Sequence, residues 1–270
     1  MNNGQIESES KFLLKFLLSI IKLPLILIQI IFRKKRFGDL FEPLKLVYEF
    51  IISAKFTFGI IVANIIIFFI SMTLPEQVLI NLMNFPSDLF HFRIWTLITA
   101  GFLHGDLMHL LFNMLGIFVF GRIVERNFGI IKTAIIYFAA MIISHVFSSV
   151  INYGVLGIDI PGIGASGALM GLIAAAILIQ PFYITYEALI PMPVMVLGWL
   201  AIYADIVGIL GAVNDGIGHL AHIGGFISIT IIAYFMGGQD RKKMRTGLII
   251  NIASVAILYF ISRTIGLSFL

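Results

Sequence analysis

The chain has no cysteine, and only 12% of its 270 residues are charged. Without thiols, disulfide bracing, thiolate catalysis and Cys-ligated zinc or iron–sulfur sites are excluded, and the redox compartment stays open. The scarcity of charge excludes more. A soluble domain of this length wraps its core in charged surface, and a chain that is 60% apolar, with a mean hydropathy of +1.04, cannot supply that surface. A small-residue cleavage site is also lacking. The first apolar stretch, from Phe12, is interrupted by Lys15, Lys22 and Pro24 and ends in Arg33-Lys34-Lys35-Arg36, so no cleavable signal peptide is expected. Nor is there an internal repeat or a low-complexity linker. These absences put the chain in a lipid bilayer. Its formal net charge of +4 is then read by position, as topology, and not as a nucleic-acid signal.

What is present is a series of long apolar runs. A hydrocarbon core about 30 Å thick takes about 20 apolar residues of helix to cross. Six stretches fit: Phe56–Leu74, Met108–Val124, Ile130–Asn152, Ser166–Gln180, Ala188–Leu210 and Leu220–Met236. A seventh, Leu248–Ile265, follows a basic break. Lysine and arginine collect in the loops before the first span, between the second and third, and between the sixth and seventh, which all fall on one side if every span crosses once. By the positive-inside rule that side is cytoplasmic. The loops Pro75–Asp106, Tyr153–Ala165 and Ala212–Gly218 then face outward. The lysines and Pro24 within Phe12–Phe32 favour a helix lying in the cytoplasmic interface, an additional span being the alternative.

Polar residues are costly in such spans, so those that remain are the candidates for chemistry. His109 and Asn113 open the second span, Ser166 opens the fourth and His222 opens the sixth. All three spans enter from the outer side, so the four residues share one shallow depth, within about two turns of their helix starts. A serine hydroxyl needs a base, and imidazole suits that task near neutrality. The first-turn N–H groups of the Ser166 helix, with His109 and Asn113 one turn apart on a single face, can supply donors to an oxyanion. Gly167 and Gly171 on the serine helix, and Gly224 and Gly225 after the histidine, allow the two helices to approach closely. The bland readings are a small packing residue for Ser166 and interhelical hydrogen bonds for His222, His109 and Asn113.

A metal centre built from His219, His222, His104 and His109 is disfavoured. Asp106 is the one carboxylate near them, and no HExxH glutamate is present. His219, His104 and His91 are expected to be loop or interface residues. Asp205 and Asp215 lie near the outer side, where solvation by the loops accounts for them and orienting His222 is the alternative.

The run Trp95-Thr96-Leu97-Ile98-Thr99-Ala100-Gly101-Phe102-Leu103-His104, followed by His109 to Asn113, Gly121-Arg122-Ile123-Val124-Glu125, Gly164-Ala165-Ser166-Gly167 and Ala221-His222-Ile223-Gly224-Gly225, resembles the rhomboid intramembrane proteases. The resemblance covers about Phe56 to Met236. It implies Ser166 as nucleophile and His222 as base, with no aspartate completing a triad. It further implies oxyanion stabilisation by His109, Asn113 and the Ser166 amide, and a structural role for Glu125 at the cytoplasmic end of the second span. Arg93-Ile94-Trp95 stands where the family often has Trp-Arg.

The expected fold is therefore an all-α polytopic membrane protein. It has a cytoplasmic segment with an interfacial helix (residues 1–55), a six-helix rhomboid core (56–236) and a basic loop with a C-terminal seventh transmembrane helix (237–270). The expected activity is a serine endopeptidase of a multi-pass plasma-membrane protein, with the N-terminus cytoplasmic and the site opening outward. Single-span membrane proteins are the implied substrates, and neither cofactor, metal nor nucleic acid is called for. The fifth span, with Pro191, Pro193 and Gly198, is the expected mobile element. The alternative function is a non-catalytic rhomboid-like protein that binds membrane helices.

Overall fold

A computed structural model describes residues 9–187, 190–211 and 216–264. It is mostly helical, 79%, with apolar helices, as a polytopic membrane protein requires. In hydrocarbon every backbone N–H and C=O must be satisfied within the segment, which a helix does. Many large apolar side chains, Phe32, Ile131, Tyr234 and Phe235 among them, face outward from the packed helices, the surface of a protein solvated by lipid.

The chain opens with α1 (Glu9–Ile21) and α2 (Leu23–Ile31), bent by 42°. Phe12–Phe32 is thus two helices and not one, because Pro24 near the start of α2 has no N–H to continue the ladder. Next come α3 (Glu42–Ile52), on which Phe12 stacks through Phe50 with ring centroids 3.9 Å apart, and α4 (Lys55–Ser71). The stretch Pro75–Asp106, expected as a loop, holds α5 (Glu76–Leu82), a 3-10 turn at Pro86–Leu89 and α6 (Thr96–Thr99). Polar contacts pin it. Arg93 pairs with Asp88 at 3.1 Å, the Trp95 indole donates to the Asn81 carbonyl at 3.2 Å, and buried His145 lies 2.8 Å from the Leu97 carbonyl.

Helix α7 (Leu107–Gly116) runs through a π-helical turn at Ile117–Gly121 straight into α8 (Arg122–Ser149). The loop expected between the second and third spans shrinks to one residue. Gly129, at φ 79°, breaks the helix axis there, a backbone conformation open to glycine. After α9 (Ser166–Ile179), strands β1 (Ile184–Glu187) and β2 (Ile190–Pro193) form an antiparallel hairpin with Ile184 opposite Pro193. The expected start of the fifth span at Ala188 is therefore wrong. Pro191 and Pro193 cannot donate inside a helix but are tolerated in a two-stranded hairpin, where each strand is an edge. Helix α10 (Val194–Leu210) begins only after them, followed by α11 (His219–Phe235) and α12 (Gly238–Thr264). The basic run Arg241-Lys242-Lys243-Arg245 lies within α12 and is no break, since lysine and arginine are good helix formers.

Helix length alone does not return the expected number of crossings. Among the described residues, Leu107–Val155 and Gly238–Ile261 are long and apolar enough by themselves, while Leu14–Ile21 with Leu23–Ile31, bent by 42°, and Phe37–Ile52 with Lys55–Ser71, bent by 92°, qualify only as pairs. Helices α9, α10 and α11 are shorter apolar helices. At the centre is α9, packed against α8, α10, α11 and α12. Its Gly167, Ala168, Gly171, Ala174, Ala175 and Ala176 are buried, small residues that let four neighbours close on one short helix.

Candidate active site

Ser166 is the first residue of α9, half-buried, with the orphan N–H groups of that first turn around it. The segment that delivers it is fixed from two directions. Asn84 and Gly162 exchange backbone hydrogen bonds, and the Gly164 N–H donates to the Ala100 carbonyl at 2.9 Å. Gly164 has φ +119°, and a Cβ there would fall 2.6 Å from His109 Nε2 and 3.6 Å from Asn113 Nδ2. Both the turn and the close approach require glycine. His109 and Asn113 thus rest on the residue two before Ser166.

Asp106 caps α7 by accepting the His109 N–H at 2.8 Å, which orients this helix start. The Gly105 N–H points at His109 Nδ1 across a long 3.5 Å contact, and Nε2 is the nitrogen facing Gly164. Asn113 is 4% exposed, and its Nδ2 has no hydrogen-bond partner among the described residues. A buried donor left unpaired is costly, which sets this amide apart from the paired polar groups of the helices.

Helix α11 meets α9 at backbone contact. A Cβ on Gly225 would lie 2.1 Å from the Gly167 carbonyl oxygen, one on Gly167 would lie 3.9 Å from the Ala221 carbonyl oxygen, and one on Gly171 would lie 3.4 Å from the Gly225 carbonyl oxygen. Gly224 faces Phe147, where a Cβ would sit 2.8 Å away. These approaches bring the turn carrying His222 against the turn carrying Ser166. His222 and His109 are near enough to interact electrostatically.

One residue was underestimated from the sequence. Asp205 of α10 is 4% exposed, and its Oδ1 lies 2.8 Å from Nδ1 of His222 and 2.8 Å from Nδ1 of His219. Loop solvation does not account for it, and Asp106 is not the one carboxylate near the histidines. A carboxylate six residues inside an apolar helix is the signal that could have found it, given the cost of burying one there. Asp215 lies outside the described residues. Asp205, His219 and His222 offer one ligand atom each, all within 4.8 Å of one another, a donor set of the composition zinc takes.

His219 is therefore part of this cluster and not a loop residue. His104 is also buried, in the loop before α7, its ring 5.0 Å from that of His109. Burial, aided by the neighbouring His109, pushes its pKa down to about 4. His91 is exposed and bonds its own turn at the Ser87 carbonyl. At the other end of the helices, Glu125 accepts from the Phe56 and Thr57 N–H groups at 2.9 and 2.8 Å and from the Thr57 hydroxyl at 2.7 Å. It caps α4. Trp95 is half exposed over Arg93 and stands apart from the serine.

The sequence motifs around these residues extend to a whole-domain match: the family model described as the rhomboid domain matches residues 91–239, more than half of the chain. The chain belongs to the rhomboid family. Among similar proteins, RHOMBOID-like protein 12, mitochondrial, of Arabidopsis thaliana is 33% identical over 184 residues, covering 62% of this chain and 54% of that protein. Rhomboid protease AarA of Providencia stuartii is 29% identical over 202 residues, covering 66% and 70% respectively. Rhomboid protease GluP of Bacillus subtilis is 30% identical over 173 residues, 62% of this chain and 31% of that protein. The first three Arabidopsis relatives are matched over 54%, 34% and 60% of their lengths, so the chain spans about half the length of the curated relatives it matches.

Proposed function

We propose that this rhomboid is an intramembrane serine endopeptidase whose catalytic pair is Ser166 and His222. The observation that carries the reading is the backbone contact of Gly167 with Gly225, which brings the serine and histidine turns together where His109 and Asn113 also converge. The names of AarA and GluP, both rhomboid proteases, support the same reaction.

Nε2 of His222 takes the Ser166 proton as Oγ attacks the substrate carbonyl. The oxyanion is met by the Ser166 N–H, His109 Nε2–H and the unpaired Asn113 amide, donors already in place in a water-poor site. His222 returns the proton to the leaving amine, and water activated by the same imidazole releases the acyl group from Ser166. No cofactor takes part.

The substrates are single-span membrane proteins, cut within or beside their transmembrane helix after a small residue. A helix hides its carbonyls in hydrogen bonds, so the segment must unwind locally before Ser166 can reach one. The 14 residues of α9 rise about 21 Å, short of the roughly 30 Å hydrocarbon thickness. With the basic end of the helix bundle at the cytoplasmic face, α9 leaves Ser166 recessed below the outer surface. This arrangement goes with a plasma-membrane protein whose N-terminus is cytoplasmic, an interfacial N-terminal segment (1–55), a six-span core (56–236) and a seventh span near the C-terminus (237–270).

The test is in-gel labelling by a fluorophosphonate, with cleavage of a single-span substrate, for wild type, Ser166→Ala and His222→Ala. Labelling and cleavage are expected in wild type and lost by at least about 10³-fold in both variants. Wild type that neither labels nor cleaves would replace this reading with that of a helix-binding protein without catalysis.

A further inference from the structure

Rhomboid chemistry as read above asks nothing of α10 beyond shape, yet α10 buries a carboxylate against the base. We infer that Asp205 is a positioning residue for His222: it accepts the Nδ1–H and so leaves Nε2 as the nitrogen that receives the Ser166 proton. His219 holds the same carboxylate oxygen from the other side. The inference rests on the Ser166–His222 reading and extends it.

The argument starts from tautomers. A neutral imidazole carries one ring proton, and the hydrogen bond at one nitrogen decides which is the base. A carboxylate accepts and does not donate, so the 2.8 Å contact from Nδ1 of His222 to Asp205 Oδ1 requires the proton on Nδ1. The nitrogen left with a lone pair is Nε2. Asp205 also fixes the ring plane, and during attack its negative charge faces the imidazolium that forms, without itself taking a proton.

The second imidazole explains how the carboxylate stays buried. Asp205 is 4% exposed at the outer end of an apolar helix, and one hydrogen bond compensates a buried charge poorly. His219 and His222, three residues apart, lie on one face of α11, and both Nδ1 atoms reach the same Oδ1 at 2.8 Å. His219 is pressed against Gly208, where a Cβ would fall 2.2 Å from its Nε2. Glycine at 208 thus makes room for the imidazole that anchors Asp205.

A metal fits these contacts less well. Tetrahedral zinc with ligands at about 2.1 Å holds them roughly 3.4 Å apart, whereas both Nδ1–Oδ1 separations are 2.8 Å, the length of a direct charge-assisted hydrogen bond. The arrangement also ties the outer ends of α10 and α11, so an outward swing of α10 would release His222 as it opened the site.

The test uses full-length protein in detergent or nanodiscs and steady-state cleavage of a single-span substrate. Asp205→Asn is expected to lower kcat by about 10²–10⁴-fold with KM within about twofold. His219→Gln, which keeps the Asp205–His222 bond, is expected to lose less than about tenfold. A chelator should leave wild type unchanged. Wild-type ¹⁵N ring shifts, assigned with His219→Gln and His222→Gln, should show His222 protonated at Nδ1 and bare at Nε2, a readout that needs no Asp205 variant to fold. Retained kcat in Asp205→Asn, the opposite tautomer, or activity that a chelator removes and zinc restores would each overturn the inference while leaving Ser166 and His222 in place. Wild type that neither labels nor cleaves would overturn both.

Discussion

The two ends of the helices treat their buried polar groups in opposite ways. At the basic end, Glu125 meets three donors from α4, the Arg122 guanidinium lies 3.4 Å over the Phe50 ring, and Lys132 and Lys243 reach Asp240 and Asn127. At the other end, Asn113 keeps a buried amide nitrogen with no hydrogen-bond partner among the described residues, and the Asp205 carboxylate is shared by two imidazoles. The first end pairs Glu125, Lys132 and Lys243 with groups on neighbouring helices and so holds those helices together. The other keeps a buried amide donor that no described residue accepts from. Loss of function and loss of fold should therefore separate by position along the bundle.

Apart from the Ser166, His222 and Asp205 variants above, the largest effect is expected from Asn113→Ala. It should lower kcat by about 10²–10³-fold, the usual cost of one oxyanion donor, while the unfolding midpoint stays put, since the amide nitrogen has no hydrogen-bond partner among the described residues to lose. A fall in stability that matches the fall in rate would break the contrast between the ends. Glu125→Ala should do the reverse. It strands two backbone N–H groups and a hydroxyl, for about 2–3 kcal/mol of stability, with activity per folded molecule retained, as read by denaturant titration alongside active-site labelling.

Gly225→Ala falls between the two classes. Its methyl would meet the Gly167 carbonyl oxygen, which is backbone and cannot swing aside, so the helices must separate at a cost of about 1–3 kcal/mol, and Ser166 and His222 part with them. Thermal unfolding and fluorophosphonate labelling should both decline. The smallest effect concerns His104. It stays neutral in the folded state down to about pH 4, against 6.5 for the free side chain. Between those values the unfolded chain takes up the proton and the folded chain does not, so stability falls as pH drops through that window. Unfolding midpoints from pH 7 to 4.5 should show a slope that His104→Gln reduces.

Much of the site was legible in the sequence because its signals are local. Ser166 between Gly164 and Gly167, His109 and Asn113 one turn apart, and His222 before paired glycines each stand out against apolar spans. Counting spans leads to the expectation that they share one depth. The Gly129 turn and the hairpin at 184–193 were read as a loop and as part of a helix, because apolar content marks what lies in lipid but not where a backbone reverses. Pro191 and Pro193 carried the hairpin signal, which was assigned to mobility of the span.

The sequence by itself determined that this chain lives in a bilayer and that it carries the rhomboid motifs. Composition sets the solvent a chain can fold in, and helical periodicity sets which residues share a face. Only the tertiary structure decided that Asp205 belongs with His219 and His222, that Glu125 caps α4, and that the Asn113 amide nitrogen has no hydrogen-bond partner among the described residues. Those are contacts between helices, made at rotations and depths fixed by the packing of glycine and alanine at the centre of the bundle. A sequence read one helix at a time does not contain them.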